Sequence, residues 1–215
     1  MQNHEFWHSK WAANNIGFHL NEENPYLVNY WSALQPKRDD KVLVPLCGKS
    51  VDLTWLAMKH ESVTGVELSD IAVKAFFAEQ LYTPTVTSLS SYHQLYQFDE
   101  ITIYSGDYFD APIKSFDLIY DRAALVALPP ELQNRYVERT LSLLAPGGRM
   151  LLMTIDYDQT EKMGPPYAIN QSRVEQLFEG CKVRRLYDDA AEPNHPQIKK
   201  GLSRFSEQGW IIEKN

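Results

Sequence analysis

The 215-residue chain has little with which to staple itself or to hold a metal: two cysteines, Cys47 and Cys181, in no metal-ligand spacing. That excludes a disulfide-built secreted scaffold and leaves reduced thiols, which places the protein in the cytoplasm as an expectation. Positive charge is also short. Lys and Arg number 21 against 28 Asp and Glu, a formal net charge of -7, so a surface that tracks nucleic-acid phosphates is not expected. No uninterrupted apolar run approaches the roughly 20 residues of a membrane helix, and the opening MQNHEFWHSKW carries no apolar signal core, so no membrane partner is expected either. Internal repeats and low-complexity tracts are absent.

What the chain does have is an alternation. Five short apolar runs, Val42 to Leu46, Val63 to Val66, Ile101 to Tyr104, Phe116 to Tyr120 and Arg149 to Ile155, read as strands. Between and after the first two lie segments with helical spacing, Val51, Trp55 and Met58 in one and Ile71, Ala75 and Phe76 in the other, with Ser50 and Ser69 as N-cap candidates. Pro129 and Pro130 open a third helix in which Leu132, Tyr136, Thr140 and Leu143 fall about a turn apart, and Ala145-Pro146-Gly147-Gly148 closes it. Strand and helix in alternation predict an α/β fold with a mostly parallel sheet covered on both faces and a ligand at the carboxyl ends of its strands. KVRRLYDDA and LSRFSEQGWIIEK predict an antiparallel edge hairpin with a long connection. Residues 1–40 hold three of the five tryptophans, Trp7, Trp11 and Trp31, and read as an aromatic cap on a core formed by residues 41–215. A single domain over 1–215 is expected from the length.

The stretch KVLVPLCGKSVDL contains Gly48-Lys49-Ser50, the ending of a phosphate-gripping loop. Such a loop needs a glycine five positions earlier, where Leu43 stands, and Pro45 removes an amide donor. The three-glycine dinucleotide pattern fails as well, since PLCGKS supplies one glycine. A strand-end bend remains, followed by an acid, Glu67, that stands 67 − 46 = 21 residues past Leu46. In doubly wound sheets an acid about 20 residues beyond the first turn reaches the two hydroxyls of a ribose. With no phosphate nest, a ribose ligand without phosphates, such as an adenosyl sulfonium, fits. Glu67 as a solvated acid near the cap of the next helix is the alternative. Asp107 ends the third strand, where its carboxylate could accept from an adenine amino group, or could act as a turn acid. Asp121-Arg122 ends the fourth and places a charged pair on the same rim, with a surface salt bridge as the alternative.

These residues resemble the class I S-adenosylmethionine methyltransferases and, within them, the thiopurine S-methyltransferase family. The resemblance rests on FWHSKWAANNIGFH, VPLCGKSVDLTWLA, GVELS, FDLIYDRAALVALPP, LLAPGGRMLLMTIDYD and GPPYAI, in family order up to Phe178. It implies a Rossmann-like class I methyltransferase fold, a doubly wound sheet with an N-terminal helical lid, and S-adenosyl-L-methionine as cofactor. By the same resemblance Trp7, Trp11, Leu46 and Gly48 lie at the cofactor, Glu67 binds its ribose, Asp107 and Tyr108 flank its adenine, and Arg122 lies beside the methionyl part and favours a thiolate electrostatically. Phe18 contacts the acceptor. The implied activity is S-methylation of aromatic or heterocyclic thiols such as thiopurines by a monomer with a small-molecule partner. Methylation of selenium or tellurium compounds is the narrower alternative, and a noncatalytic adenosyl-ligand binder the one from another class. Where animal relatives carry an arginine over the acceptor, this chain has EPNHPQIKK, leaving His195, Lys199 or Lys200 as substitutes.

Overall fold

In the computed structural model, which describes residues 2–91 and 93–215, the apolar runs become strands close to their expected limits. The chain divides into two compact units, one ending at Lys114 and the other beginning at Ser115. The first carries α1 (Gln2–Ala12), α2 (Pro25–Tyr30), β1 (Val42–Pro45), α3 (Asp52–Ala57), β2 (Val63–Glu67), α4 (Asp70–Glu79), β3 (Thr85–Ser88), β4 (Gln94–Phe98) and β5 (Ile101–Ser105). Its strands lie in the order β3-β4-β5-β2-β1. β1, β2 and β5 are parallel, with Pro45 opposite Val66 and Glu67 opposite Ser105, so their carboxyl ends finish at one edge. Every residue of β1 and β2 is buried, which is why both read as unbroken apolar runs rather than alternating ones. Gly65 in mid-strand is required by packing: a Cβ there would lie 2.7 Å from the Cys47 sulfur.

Two helices are phased differently from the sequence expectation. α4 buries Ala72, Val73, Phe76 and Phe77 while Ile71 is exposed, and α3 buries Leu53 and Leu56 while Met58 is exposed. Both segments carry two overlapping apolar stripes, and the one that offers adjacent large side chains is the one covered. Ser69 occupies the N-cap of α4 without a side-chain cap bond. Ser50 accepts from the Asp52 N–H at 3.3 Å. Asn24, unforeseen, caps α2 through the Tyr26 and Leu27 N–H groups.

The second unit carries β6 (Phe116–Asp121), α5 (Pro130–Leu143), β7 (Leu144–Asp156), α6 (Gln171–Leu177), β8 (Lys182–Ala190), α7 (Pro196–Lys199) and β9 (Ser206–Glu213), with strand order β6-β7-β9-β8. β6 and β7 are parallel. The C-terminal hairpin is antiparallel as expected, and its second strand, β9, is the one that pairs with β7. Among the described residues no helix is long and apolar enough to cross a membrane, and no group of three or more His, Cys, Asp or Glu could hold a metal ion.

Candidate active site

β1 stops at Pro45 because the chain turns sharply: Leu46 takes a φ of +48° and Gly48 one of +56°. A left-handed leucine is costly, about 1 to 2 kcal/mol, so the surrounding bonds must hold it. Cys47 continues the ladder, its N–H donating to the Val66 carbonyl at 3.0 Å. The Gly48 N–H then turns onto Glu67 and donates to Oε2 at 2.9 Å, while the Ser69 N–H donates to Oε1 at 2.7 Å. Gly106 completes the junction, its N–H donating to the Glu67 carbonyl at 2.8 Å. The acid predicted to serve a ribose thus sits between the ends of β1 and β5, and it is a buried group, 6% exposed.

Burial pushes the Glu67 carboxyl up to about 7, against the pull of the Ser69, Gly48 and Leu68 N–H groups. A carboxylate offers roughly four acceptor positions; with the Ser69, Gly48 and Leu68 N–H groups on it, about one is left for a ribose hydroxyl. The Ser69 hydroxyl, buried beside it in sequence, has no partner. The Trp11 indole packs directly on Gly48, where a Cβ would stand 3.1 Å from its Cζ2, so the glycine lets the aromatic cap approach the strand-end bend. These features fit the nucleoside half of S-adenosylmethionine.

The N-terminal aromatics assemble around Phe18. Its ring meets Trp7 edge-on at 5.8 Å and Trp11 edge-on at 5.6 Å, so all three residues named from the sequence form one cluster. Trp7 Nε1 is buried within it without an acceptor. Asp107 is half-buried and already engaged: Oδ1 accepts from the Phe109 N–H at 2.9 Å, Oδ2 lies 3.2 Å from His4 Nε2, and its carbonyl lies 3.2 Å from His93 Nε2. Tyr108 is buried beside it. Lys49, the residue that suggested a phosphate, instead pairs with Glu79 at 2.6 Å.

In the second unit, Asp121 is not a rim charge or half of a surface salt bridge. It is fully buried, accepting from the Tyr136 hydroxyl at 2.6 Å and the Leu125 N–H at 3.2 Å. Burial raises its carboxyl to about 6 despite those donors. The carboxylate anchors the turn that carries Arg122, whose next residue, Ala123, has a φ of +62°. Arg122 itself is half-buried. Of the three C-terminal substitutes, His195 is committed to structure: its Nδ1 accepts from the Gln197 N–H at 3.2 Å and its ring stacks on Phe205 at 5.0 Å. Lys199 and Lys200 are exposed. Sequence reasoning missed His4, His93 and Tyr136, which act through partners far away in the chain; no local signal points to them.

A family profile described as Thiopurine S-methyltransferase (TPMT) matches residues 2–215. The chain is 64% identical over 210 residues to a protein of Aliivibrio fischeri named thiopurine S-methyltransferase, covering 98% of this chain and 99% of that one. A protein of the same name from Vibrio cholerae is 58% identical over 217 residues, with complete coverage of both. Among solved structures, the fold matches Burkholderia thailandensis 1,6-didemethyltoxoflavin-N1-methyltransferase, crystallised with its 1,6-didemethyltoxoflavin and S-adenosylhomocysteine. The TM-score is 0.67 at 16% identity, covering 99% of this chain and 87% of that one. An S-adenosylmethionine-dependent methyltransferase from Anabaena variabilis matches with a TM-score of 0.66 at 13% identity, over 99% of this chain and 95% of that one.

Proposed function

Given that the chain belongs to the thiopurine S-methyltransferase family, we propose that it methylates the sulfur of small aromatic or heterocyclic thiols. It is a methyltransferase whose methyl donor is S-adenosylmethionine. The observation that carries the reading is Glu67, held ionisable and acceptor-ready between the Gly48 and Ser69 N–H groups.

The bound donor supplies an electrophilic methyl carbon, so the protein's work is to bind, orient and exclude water. Glu67 takes the ribose hydroxyls, Asp107 and Tyr108 flank the adenine, and Leu46, Gly48, Trp7 and Trp11 close over the rest. Departure of His4 would free Asp107 Oδ2 for the adenine amino group. Phe18 offers its ring to a flat acceptor. An aromatic thiol ionises readily enough to need no dedicated base, and Arg122 favours the thiolate by its charge. The whole chain serves as one methyltransferase domain, a cytoplasmic monomer.

The C-terminal stretch supports comparing acceptors, because His195 is occupied as a helix cap and two exposed lysines stand where animal relatives have an arginine. Methyl-labelled S-adenosylmethionine is to be incubated with the protein and 6-mercaptopurine, and separately with selenium and tellurium acceptors. Label on the thiopurine sulfur with the highest kcat/KM is the expected result. Label on selenium or tellurium alone would move the acceptor class, and none on any acceptor while calorimetry records donor binding would reduce the protein to a binder.

A further inference from the structure

Glu67 and Gly48 lie at the carboxyl ends of β1 and β2. At the amino ends of the same strands, where the Glu61 N–H donates to the Arg38 carbonyl and the Val42 N–H to Ser62, there is a second cavity of about 330 Å³. That is within the size of small-molecule sites. Its walls include the indoles of Trp31 and Trp55 and the ring of His60, and Lys37, Arg38 and Lys59 line its mouth.

The inner wall is held rigidly. His60 is 1% exposed, and its Nε2 accepts from Trp31 Nε1 at 3.0 Å, fixing the two rings edge-on at 5.7 Å. Burial lowers the imidazole's pKa, so it serves as a neutral acceptor that orients Trp31 and adds no charge.

The mouth is cationic and loosely committed. All three basic side chains are exposed. Lys59 Nζ lies over the Trp55 ring at 5.2 Å from its centroid. Arg38 meets Glu61 through Nε alone at 3.3 Å, with both side chains more than 60% exposed; such a pair is weak and leaves the terminal guanidinium nitrogens for another anion. The neighbouring acids are Asp39, Asp40 and Glu61, and Asp40 already accepts from the Lys37 backbone N–H at 2.8 Å. The three acids balance the three cations in number, but the cations line the cavity and the acids do not, so an anion inside it meets the basic side chains first.

We propose that this cavity binds a small aromatic anion, its ring against Trp55 and its anionic group on Lys37, Arg38 and Lys59. A ring can take the place of the Lys59 ammonium over Trp55 while the ammonium swings to the anion, so the cation–π contact is exchanged for ring stacking. The site is separate from the methyl-donor site and does not depend on the proposed acceptor.

The test is calorimetric titration of the full chain with phenyl phosphate, alone and with saturating S-adenosylhomocysteine. One saturable site of equal affinity in both conditions is expected, with inorganic phosphate at least about tenfold weaker. The Lys37→Gln/Arg38→Gln double variant, which alters exposed positions alone, should weaken phenyl phosphate at least about tenfold and leave S-adenosylhomocysteine binding unchanged. Circular dichroism confirms that this variant is folded. No saturation by on the order of 10 mM, competition by S-adenosylhomocysteine, equal affinity for inorganic phosphate, or an unaffected double variant would each overturn the proposal.

Discussion

Binding of S-adenosylhomocysteine should weaken sharply below neutral pH, and Glu67 sets where. In the free protein its carboxyl titrates at about 7, raised by burial. A ribose diol donates to the ionised form, so binding must expel the proton when one is present. The apparent dissociation constant then scales as 1 + 10^(7 − pH), about tenfold weaker at pH 6 than on the plateau above pH 8, or ~1.4 kcal/mol. Proton release follows the same curve: about 0.9 proton per complex at pH 6 and about 0.5 at pH 7. Calorimetry in buffers of different ionisation enthalpy reads both quantities. Glu67→Ala should flatten the profile and weaken binding on the plateau by about 1.5 to 3 kcal/mol, the worth of a charge-assisted hydrogen bond. A flat wild-type profile without buffer-dependent heat, or an identical profile in the variant, would mean that Glu67 does not titrate against the ligand.

The same raised pKa acts in the opposite direction on stability. A carboxyl whose folded pKa exceeds its unfolded one stabilises fully below the unfolded value, here 4.5, and loses that contribution as pH rises to about 7; the loss is on the order of 3 kcal/mol. In urea, wild type should therefore lose more stability than Glu67→Ala across that window, and equal slopes would contradict it. Gly48→Ala places a Cβ at a φ of +56° and 3.1 Å from Trp11, so a loss of about 1 to 2 kcal/mol and a shifted tryptophan emission are expected; an unchanged melting temperature would count against the close approach. Tyr136→Phe removes the 2.6 Å donor to Asp121 and should cost about 1 to 3 kcal/mol in chemical denaturation. Full stability in that variant would mean the buried carboxyl does not depend on it.

Much of the core was legible because burial on both faces leaves a simple signature. β1, β2, β5, β6 and most of β7 are apolar runs, and each was located within a residue or two apart from the start of β7, which includes the Ala145 to Gly148 stretch read as a turn. The β3–β4 hairpin was not: Thr85–Ser88 is exposed along its length, so it has no apolar run to announce it. Helix phase failed at Met58 and Ile71 because one sequence allows two stripes and the sheet chooses between them. In the site, the position of Glu67 was readable from its spacing to the first turn. Its burial, and the left-handed leucine that lets Gly48 reach it, were not, since both follow from the register of three parallel strands. Asp121 misled for the same reason. A charged pair in sequence looks like a rim, yet Tyr136, 15 residues on, turns one member inward.

A crystal of the protein grown with S-adenosylhomocysteine and 6-mercaptopurine tests the central claim most directly. The ribose hydroxyls are expected within about 3 Å of the Glu67 carboxylate, the adenine beside Asp107 and Tyr108, and the thiopurine sulfur facing the homocysteine sulfur near Phe18. A nucleoside bound elsewhere, or a Glu67 that touches no hydroxyl, would contradict it.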